Sequence, residues 1–184
     1  MGMPELVYMG SAGGVPVEGA RIDGLPLPLL VYRGALDTPD VERARTAAEI
    51  KAGVCGWQLS WTSAAGIAPE RHCHTTTHEA VFVLSGKTRV RYGAAGDTVV
   101  DLWAGDVVFH PAGTFHEGAG DEGDVVTAGA YPFGAPAWDW HTADVGPEEW
   151  DRIRVLEEPG HPITGGLVTE IRRTTATSPR RQAP

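Results

Sequence analysis

Short apolar stretches separated by turn residues fill the middle of the chain. Between residues 57 and 132 these stretches are interrupted by Gly, Asp, Ser and Pro, which is the pattern of a domain built from short strands. The pattern predicts eight strands, at 57–62, 67–74, 79–84, 87–92, 97–102, 107–110, 114–117 and 124–131. Eight short strands suit a jelly-roll barrel. The sequence has no internal repeat, which indicates one barrel rather than two.

The flanking regions predict two helices outside the barrel. Thr38 followed by Pro39 is a helix-start signal, and residues at helical spacing continue from Val41 to the helix breaker Gly53. We expect this helix to cover the outside of the barrel. A second, short helix is predicted at 147–156.

An apolar segment near the N-terminus, Leu25–Tyr32, contains two prolines. Proline cannot donate to a sheet ladder, so the segment is predicted to be an edge strand or an extended arm and not a central strand. In water it would expose several large aliphatic side chains, which pairing with a second subunit would bury. The segment therefore predicts a homodimer.

These patterns divide the chain into four parts. They are an N-terminal arm and covering helix at 1–53, the barrel at 54–132, a C-terminal extension packed on the barrel at 133–173, and a tail at 174–184. The tail offers little to bury and is expected to be disordered.

Four side chains of the predicted barrel have the chemistry of a metal site. His72 and His74 lie two apart on a predicted strand, so their imidazoles leave one face while Cys73 leaves the other. Glu79 opens the next predicted strand, and His116 follows a later turn. Three imidazoles and one carboxylate suit iron, manganese, cobalt, nickel or zinc rather than calcium. Glu79 is also the candidate catalytic residue, because a carboxylate can shift between ligand and general base.

The spacing of these residues forms a paired motif, Gly66-x5-His72-x-His74-x4-Glu79-x6-Gly86 and Gly105-x5-Pro111-x-Gly113-x2-His116. It resembles the paired motif of the cupin superfamily, with Gly120 where that motif usually has Asn. The resemblance implies an all-β fold: a cupin jelly-roll β-barrel with a short N-terminal arm and one or two peripheral helices. It also implies one metal per chain, held by His72, His74, Glu79 and His116.

A second resemblance extends beyond the barrel. The stretches LPLPLLVYRGAL, GWQLSW, HCHTTTHE and GAYP are similar to the small single-cupin proteins of the YjlB-like family, over about residues 20–165. This resemblance implies the same fold and ligand set and leaves the reaction open.

Polar and aromatic residues on the predicted strands are candidates for a substrate pocket, namely Gln58, Ser60, Trp61, Tyr92, Phe109 and His110. A polar side chain inside a barrel must find a partner there, whereas the rings would equally serve as core. His110 is expected either to be a satisfied structural histidine or to donate to a ligand or substrate. His78 is expected to face away from Glu79, in a surface or supporting position. The segment 138–141 is expected to pack as part of the extension or to fold over the barrel mouth as a lid.

The ligand set predicts two kinds of chemistry. Four protein ligands in octahedral coordination keep about two positions for water, substrate or dioxygen. With Fe(II), the favoured metal, this predicts a dioxygenase acting on a small chelating molecule. With manganese, nickel, cobalt or zinc it predicts a Lewis-acid isomerase, lyase, dehydratase or cyclase. A non-catalytic cupin that binds a small molecule is the third alternative.

Charge and composition narrow the partners. Fifteen basic and 24 acidic side chains give a net charge of -9, the wrong sign for binding nucleic acid or an anionic membrane. The N-terminal sequence lacks the pattern of a signal peptide, and no apolar stretch has the length of a membrane span, so a cytoplasmic protein is expected. Cys55 and Cys73 are expected to be free thiols, with no catalytic role for Cys73.

Overall fold

The structure is a computed structural model that describes residues 7–12, 15–21, 24–38, 40–93 and 98–167. The strands in these ranges are β1 (Val7–Ala12), β2 (Val15–Ala20), β3 (Leu29–Tyr32), β4 (Trp57–Ser63), β5 (Glu79–Tyr92), β6 (Thr98–Trp103), β7 (Val107–His110) and β8 (His116–Pro132). The helices are α1 (Val41–Val54) and α2 (Pro147–Arg154). The predicted disordered tail at 174–184 lies outside the described residues.

The described strands form one antiparallel sheet in the order β1-β2-β3-β7-β5-β8-β4, with β6 paired to β5. This mostly antiparallel architecture with two helices confirms the predicted all-β class. No helix in the described part of the chain combines the length and apolar character that a membrane span requires.

Two strands are longer than predicted. The predicted strands at 79–84 and 87–92 are one strand, β5, and those at 114–117 and 124–131 belong to β8. The pairing of β5 with β8 shifts register between Val83 and Ser85, between Ser85 and Lys87, and again after Arg89. Such bulges bend a strand without ending it. The strands were predicted too short because glycines inside them, such as Gly86 in β5, were interpreted as turns.

Alternate residues of β5 face two separate cores. Phe82 packs with Trp57 and the buried alanines of α1, whereas Val81 and Val83 pack in the second core. Glu79 lies on the same face as Val81 and Val83 because strand side chains alternate. The predicted period of two in this strand is thus observed.

The predicted edge strand at Leu25–Tyr32 is a central strand in its second half. β3 pairs with β2 on one side and with β7 on the other, and its four side chains are buried. The edge-strand prediction was wrong because both prolines, Pro26 and Pro28, precede the strand and leave its ladder intact. The aliphatic side chains are covered by the chain itself. The homodimer stays a prediction, without support from this segment, and light scattering at micromolar concentration tests it.

Helix α1 begins and ends later than predicted. Its N-cap is Asp40, whose side chain accepts a hydrogen bond from the backbone N–H of Arg43 at 2.9 Å, so Thr38 is not the cap. The helix continues through Gly53 and ends at Val54, with Cys55 as C-cap. The backbone N–H of Cys55 is bonded within the last turn, which keeps the helix regular past the glycine.

Candidate metal centre

The predicted ligands come from three places in the fold. Glu79 and His116 are the first residues of β5 and β8. His72 and His74 lie in the connection between β4 and β5, where the predicted strand at 67–74 is absent. His72 instead forms an isolated bridge to His116, with backbone N–O distances of 3.1 and 2.9 Å. This bridge fixes the first histidine pair to the strand that carries the last ligand.

Each candidate histidine ligand is oriented by a backbone carbonyl. Nδ1 of His72 donates to the carbonyl of Glu70 at 2.8 Å, and Nδ1 of His116 donates to that of Thr114 at 2.9 Å. Nδ1 of His74 donates to the carbonyl of Asp139. A carbonyl only accepts, so the proton of each ring is on Nδ1 and the lone pair on Nε2 is free to bind a cation.

The free ring nitrogens converge with the carboxylate. One nitrogen from each of His72, His74 and His116 lies within 4.8 Å of the others. Nε2 of His74 lies 3.6 Å from Oε1 of Glu79, and Nε2 of His116 lies 3.5 Å from Oε2. All four side chains are buried. The structure thus brings together the four predicted ligands, with a donor set that fits a transition metal.

Two further donors hold the Glu79 carboxylate, one on each oxygen. The hydroxyl of Tyr131 donates to Oε1 at 3.0 Å, and Nδ1 of His110 donates to Oε2 at 3.1 Å. His110 in turn accepts at Nε2 from the hydroxyl of Tyr92, 3.0 Å away. Trp61 donates through Nε1 to the Tyr131 oxygen at 3.2 Å. His110 is thus a buried histidine with both ring nitrogens satisfied, and one of them donates to the candidate ligand Glu79, so both expected arrangements of His110 are met.

Burial and charge set the protonation of the centre. Burial lowers the pKa of His72 and, more strongly, that of His116, whose pKa His110 depresses further. Burial also acts on His74, but the Glu79 carboxylate and the Asp139 carbonyl outweigh it and raise the pKa. Burial would raise the pKa of Glu79, yet the hydrogen bond from His110 and the nearby His74 imidazole hold it well below its usual range. Glu79 is therefore an anion facing imidazoles, two of which stay neutral.

Residues 138–141, here called the strap, fold back onto the centre. The carboxylate of Asp139 accepts hydrogen bonds from the backbone N–H groups of Thr75 and Thr76 at 2.7 and 3.1 Å. It also accepts from their hydroxyls at 2.7 and 2.9 Å. The backbone of His141 pairs with that of Cys73. The strap thus folds over the ligand segment, which is one of the two arrangements expected for residues 138–141. Its bonds to Thr75 and Thr76 were not predicted, because the paired residues are more than 60 positions apart.

A cavity of about 420 Å³ opens beside the ligands. It is lined by Trp61, Ser63, Ala65, Gly66, Ile67, Ala68, Pro69, His72, His74, Glu79, Val81, His116, Tyr131, Trp138 and Trp140. Trp61 is the one of the six predicted pocket residues found in this lining. Tyr131, Trp138 and Trp140 were not among the predicted pocket residues.

The other predicted pocket residues lie elsewhere. Gln58 and Ser60 are exposed, because β4 turns Trp57 and Leu59 inward instead. Tyr92 and His110 are buried behind Glu79. Phe109 packs edge-to-face against Trp57, with ring centroids 6.1 Å apart.

The remaining titratable candidates are structural. Cys73 is fully buried, and burial raises the pKa of its thiol to about 12, so it stays protonated. Cys55 is also a free thiol. His78 is buried rather than at the surface, and its Nδ1 accepts the backbone N–H of Ala112 at 3.0 Å.

Comparison with known proteins agrees with this architecture. Residues 60–128 match the family model described as Cupin domain. The match begins in β4, ends in β8 and includes both ligand motifs. Together with the antiparallel sheet, the match supports the predicted cupin jelly-roll fold for these residues.

Solved structures with a similar arrangement include a variant of oxalate decarboxylase from Bacillus subtilis. It is 22% identical with a TM-score of 0.31, over 83% of this chain and 32% of that one. The ribosomal oxygenase YcfD from Escherichia coli is 18% identical with a TM-score of 0.37, over 73% of this chain and 47% of that one. This chain therefore spans about a third to a half of those proteins. A search of curated proteins found no match.

Proposed function

We propose that the protein is a mononuclear metal-dependent cupin enzyme that binds Fe(II) and acts as a dioxygenase on a small chelating organic molecule. The observation that carries the proposal is the convergence of three Nε2 atoms and the Glu79 carboxylate at the wall of a cavity. In His72, His74 and His116 the ring proton lies on Nδ1, which donates to a backbone carbonyl. We also propose that the likeness to the YjlB-like family reflects membership of it.

The ligands leave room for chemistry on the cavity side. Four protein ligands occupy about four of six octahedral positions, and a divalent iron there would supply adjacent sites for a chelating substrate and dioxygen. Trp61, Trp138 and Trp140 in the lining present apolar surface to a substrate beside the ligands. The hydrogen bonds from Tyr131 and His110 hold Glu79 in one orientation. This support favours a carboxylate that binds a cation with fixed geometry.

Oxygen consumption tests the proposal. Protein loaded anaerobically with Fe(II) is mixed with catechols, diols, hydroxy-ketones or thiol acids, and oxygen uptake is followed with an electrode. We expect uptake with one of these classes and its loss in Glu79→Ala. Glu122→Ala, which changes an exposed glutamate on β8, is the matched control and should retain the activity. Turnover at an unchanged rate without oxygen would reject the dioxygenase assignment.

A Lewis-acid enzyme is the second candidate, and Tyr131 favours it. Its hydroxyl lies in the cavity lining and is bonded to Glu79, so a phenol and a carboxylate stand together beside the ligands. Burial and the Glu79 charge raise the pKa of Tyr131, so the phenol stays protonated. Its O–H, which donates to Glu79, would have to turn to a substrate oxygen that enters the cavity. This reading predicts anaerobic turnover with zinc, nickel or manganese. Tyr131→Phe should lower that turnover about 10- to 100-fold, whereas Tyr32→Phe, at a buried tyrosine bonded to His161, should not.

A further inference from the structure

We propose that the cavity takes an uncharged, planar aromatic molecule whose polar end meets the ligand cluster, rather than a dicarboxylate. The proposal rests on the proposed function only in placing the polar end at the candidate metal centre. Three observations carry it. They are the charge of the lining, its aromatic walls, and the hydrogen bonds that the lining indoles make to the protein itself.

The charged residues of the described lining are few. Among the described residues around the cavity there is no lysine or arginine, and Glu79 is the one acidic residue. A divalent cation bound by one carboxylate and three neutral imidazoles keeps a single net positive charge. That charge can offset one anionic oxygen. A second carboxylate would lose its hydration in the cavity without a cation to pair with, which is costly.

The walls suit a flat apolar molecule. Trp61, Tyr131, Trp138 and Trp140 line the cavity. Trp138 and Trp140 are 46% and 43% exposed, although both lie at the candidate centre. Neighbouring exposed indoles are unusual on a surface that binds nothing apolar. Trp138 lies nearly parallel to Tyr131, at 17° with centroids 6.1 Å apart, so their faces present an aligned aromatic surface to a planar ring.

Two of the three lining indoles donate their N–H groups to other residues of the protein. Nε1 of Trp61 donates to Tyr131, and Nε1 of Trp140 donates to Oε2 of Glu70 at 3.1 Å. These two rings therefore offer apolar surface to a ligand rather than hydrogen bonds. Apart from Ser63, the polar lining side chains are the ligand set and Tyr131. A ligand that fits has an apolar ring against the indoles and a polar edge at Glu79 and Tyr131.

A binding comparison tests the substrate class. Naphthalene-2,3-diol, oxalate and succinate are titrated anaerobically into zinc-loaded and metal-free protein, and binding is followed by calorimetry and tryptophan fluorescence. We expect the diol to bind at least about tenfold more tightly than either dicarboxylate in both forms. Trp138→Leu should weaken the diol about tenfold while Trp138→Phe stays within about threefold. Trp103→Leu, at an indole 48% exposed outside the cavity lining, is the control and should change nothing.

Two outcomes overturn the proposal. One is tighter binding of oxalate or succinate than of the diol by wild-type protein. The other is an unchanged diol affinity in a folded Trp138→Leu variant. Failure of the dioxygenase proposal looks different, because it appears as absent oxygen uptake in iron-loaded protein while the order of binding affinities persists.

Discussion

The indole of Trp140 lies parallel to the imidazole of His72, with the ring centroids 3.5 Å apart and an angle of 10° between the planes. Glu70 contacts both rings, since its carboxylate accepts from the indole and its backbone carbonyl accepts from Nδ1 of His72. Asp139 provides the corresponding carbonyl for His74. The strap, which lies outside both ligand motifs, therefore orients two of the candidate ligands.

Asp139→Ala should weaken metal binding without unfolding the barrel. The substitution removes the carboxylate that accepts four hydrogen bonds from Thr75 and Thr76. The backbone carbonyl of residue 139, which orients His74, is then no longer held in place by these bonds. Loss of such a supporting contact typically costs about 10- to 100-fold in metal affinity. Competition with a chromogenic chelator measures this affinity.

The control for the strap is Asp151→Ala, at an exposed aspartate of α2 that pairs with Arg154 of the same helix. It should bind metal as wild type does. Equal affinities of Asp139→Ala and Asp151→Ala would show that the strap does not position the ligands.

The ligand assignment predicts that His116→Ala and the double variant His72→Ala/His74→Ala lose the metal. Each removes an Nε2 lone pair that the protein points into the cluster. Metal content per chain after dialysis, measured by plasma emission, checks this. His141→Ala is the matched control, because His141 contacts the ligand segment through its backbone. Full occupancy in the double variant would disprove the assignment.

The four candidate ligands were predictable because their relations are local. His72 and His74 are two residues apart, and Glu79 shares a strand face with Val81, so a period of two identifies both pairs. His116 follows a turn of characteristic spacing. Local geometry of this kind can be predicted from the spacing of residues along the chain.

The support around the ligands was not predictable for the opposite reason. The Tyr131 bond to Glu79 joins residues 52 apart, and the Asp139 bonds to Thr75 join residues 64 apart. No periodic pattern encodes such pairs, since they depend on how the finished barrel places its strands and extension. The central position of Leu29–Tyr32 was missed similarly, because both of its pairings are with distant strands.

Gly129→Ala should disturb the cavity wall through Trp61. A Cβ at Gly129 would lie 2.0 Å from Cε2 and 2.1 Å from Nε1 of Trp61, so the indole must move and its bond to Tyr131 breaks. Overpacking of this kind costs about 1–3 kcal/mol, measurable by urea unfolding. Gly53→Ala meets no atom within 4 Å in α1 and should instead stabilise by about 0.5–1 kcal/mol. In a Trp61→Ala background the Gly129→Ala cost should largely vanish, and an undiminished cost there would contradict the clash.

His78 should make the metal-free protein less stable as the pH falls. Burial lowers the pKa of His78 to about 4, whereas an unfolded chain has a histidine pKa of about 6.5. Between these values the unfolded chain binds a proton that the folded chain does not. Stability is therefore complete above about pH 6.5 and declines toward about pH 4, by about 3 kcal/mol at most.

His78→Asn tests this titration, since an asparagine oxygen can replace Nδ1 as acceptor for the Ala112 N–H. Urea unfolding of metal-free wild type and variant at about pH 7, 5.5 and 4.5 should give free energies of unfolding that converge as the pH falls. Thr77→Ala is the control, because it removes a buried hydroxyl bonded to the His78 carbonyl without changing a titratable group. Its curve should run parallel to that of wild type. A parallel curve for His78→Asn as well would mean that His78 does not contribute the pH dependence.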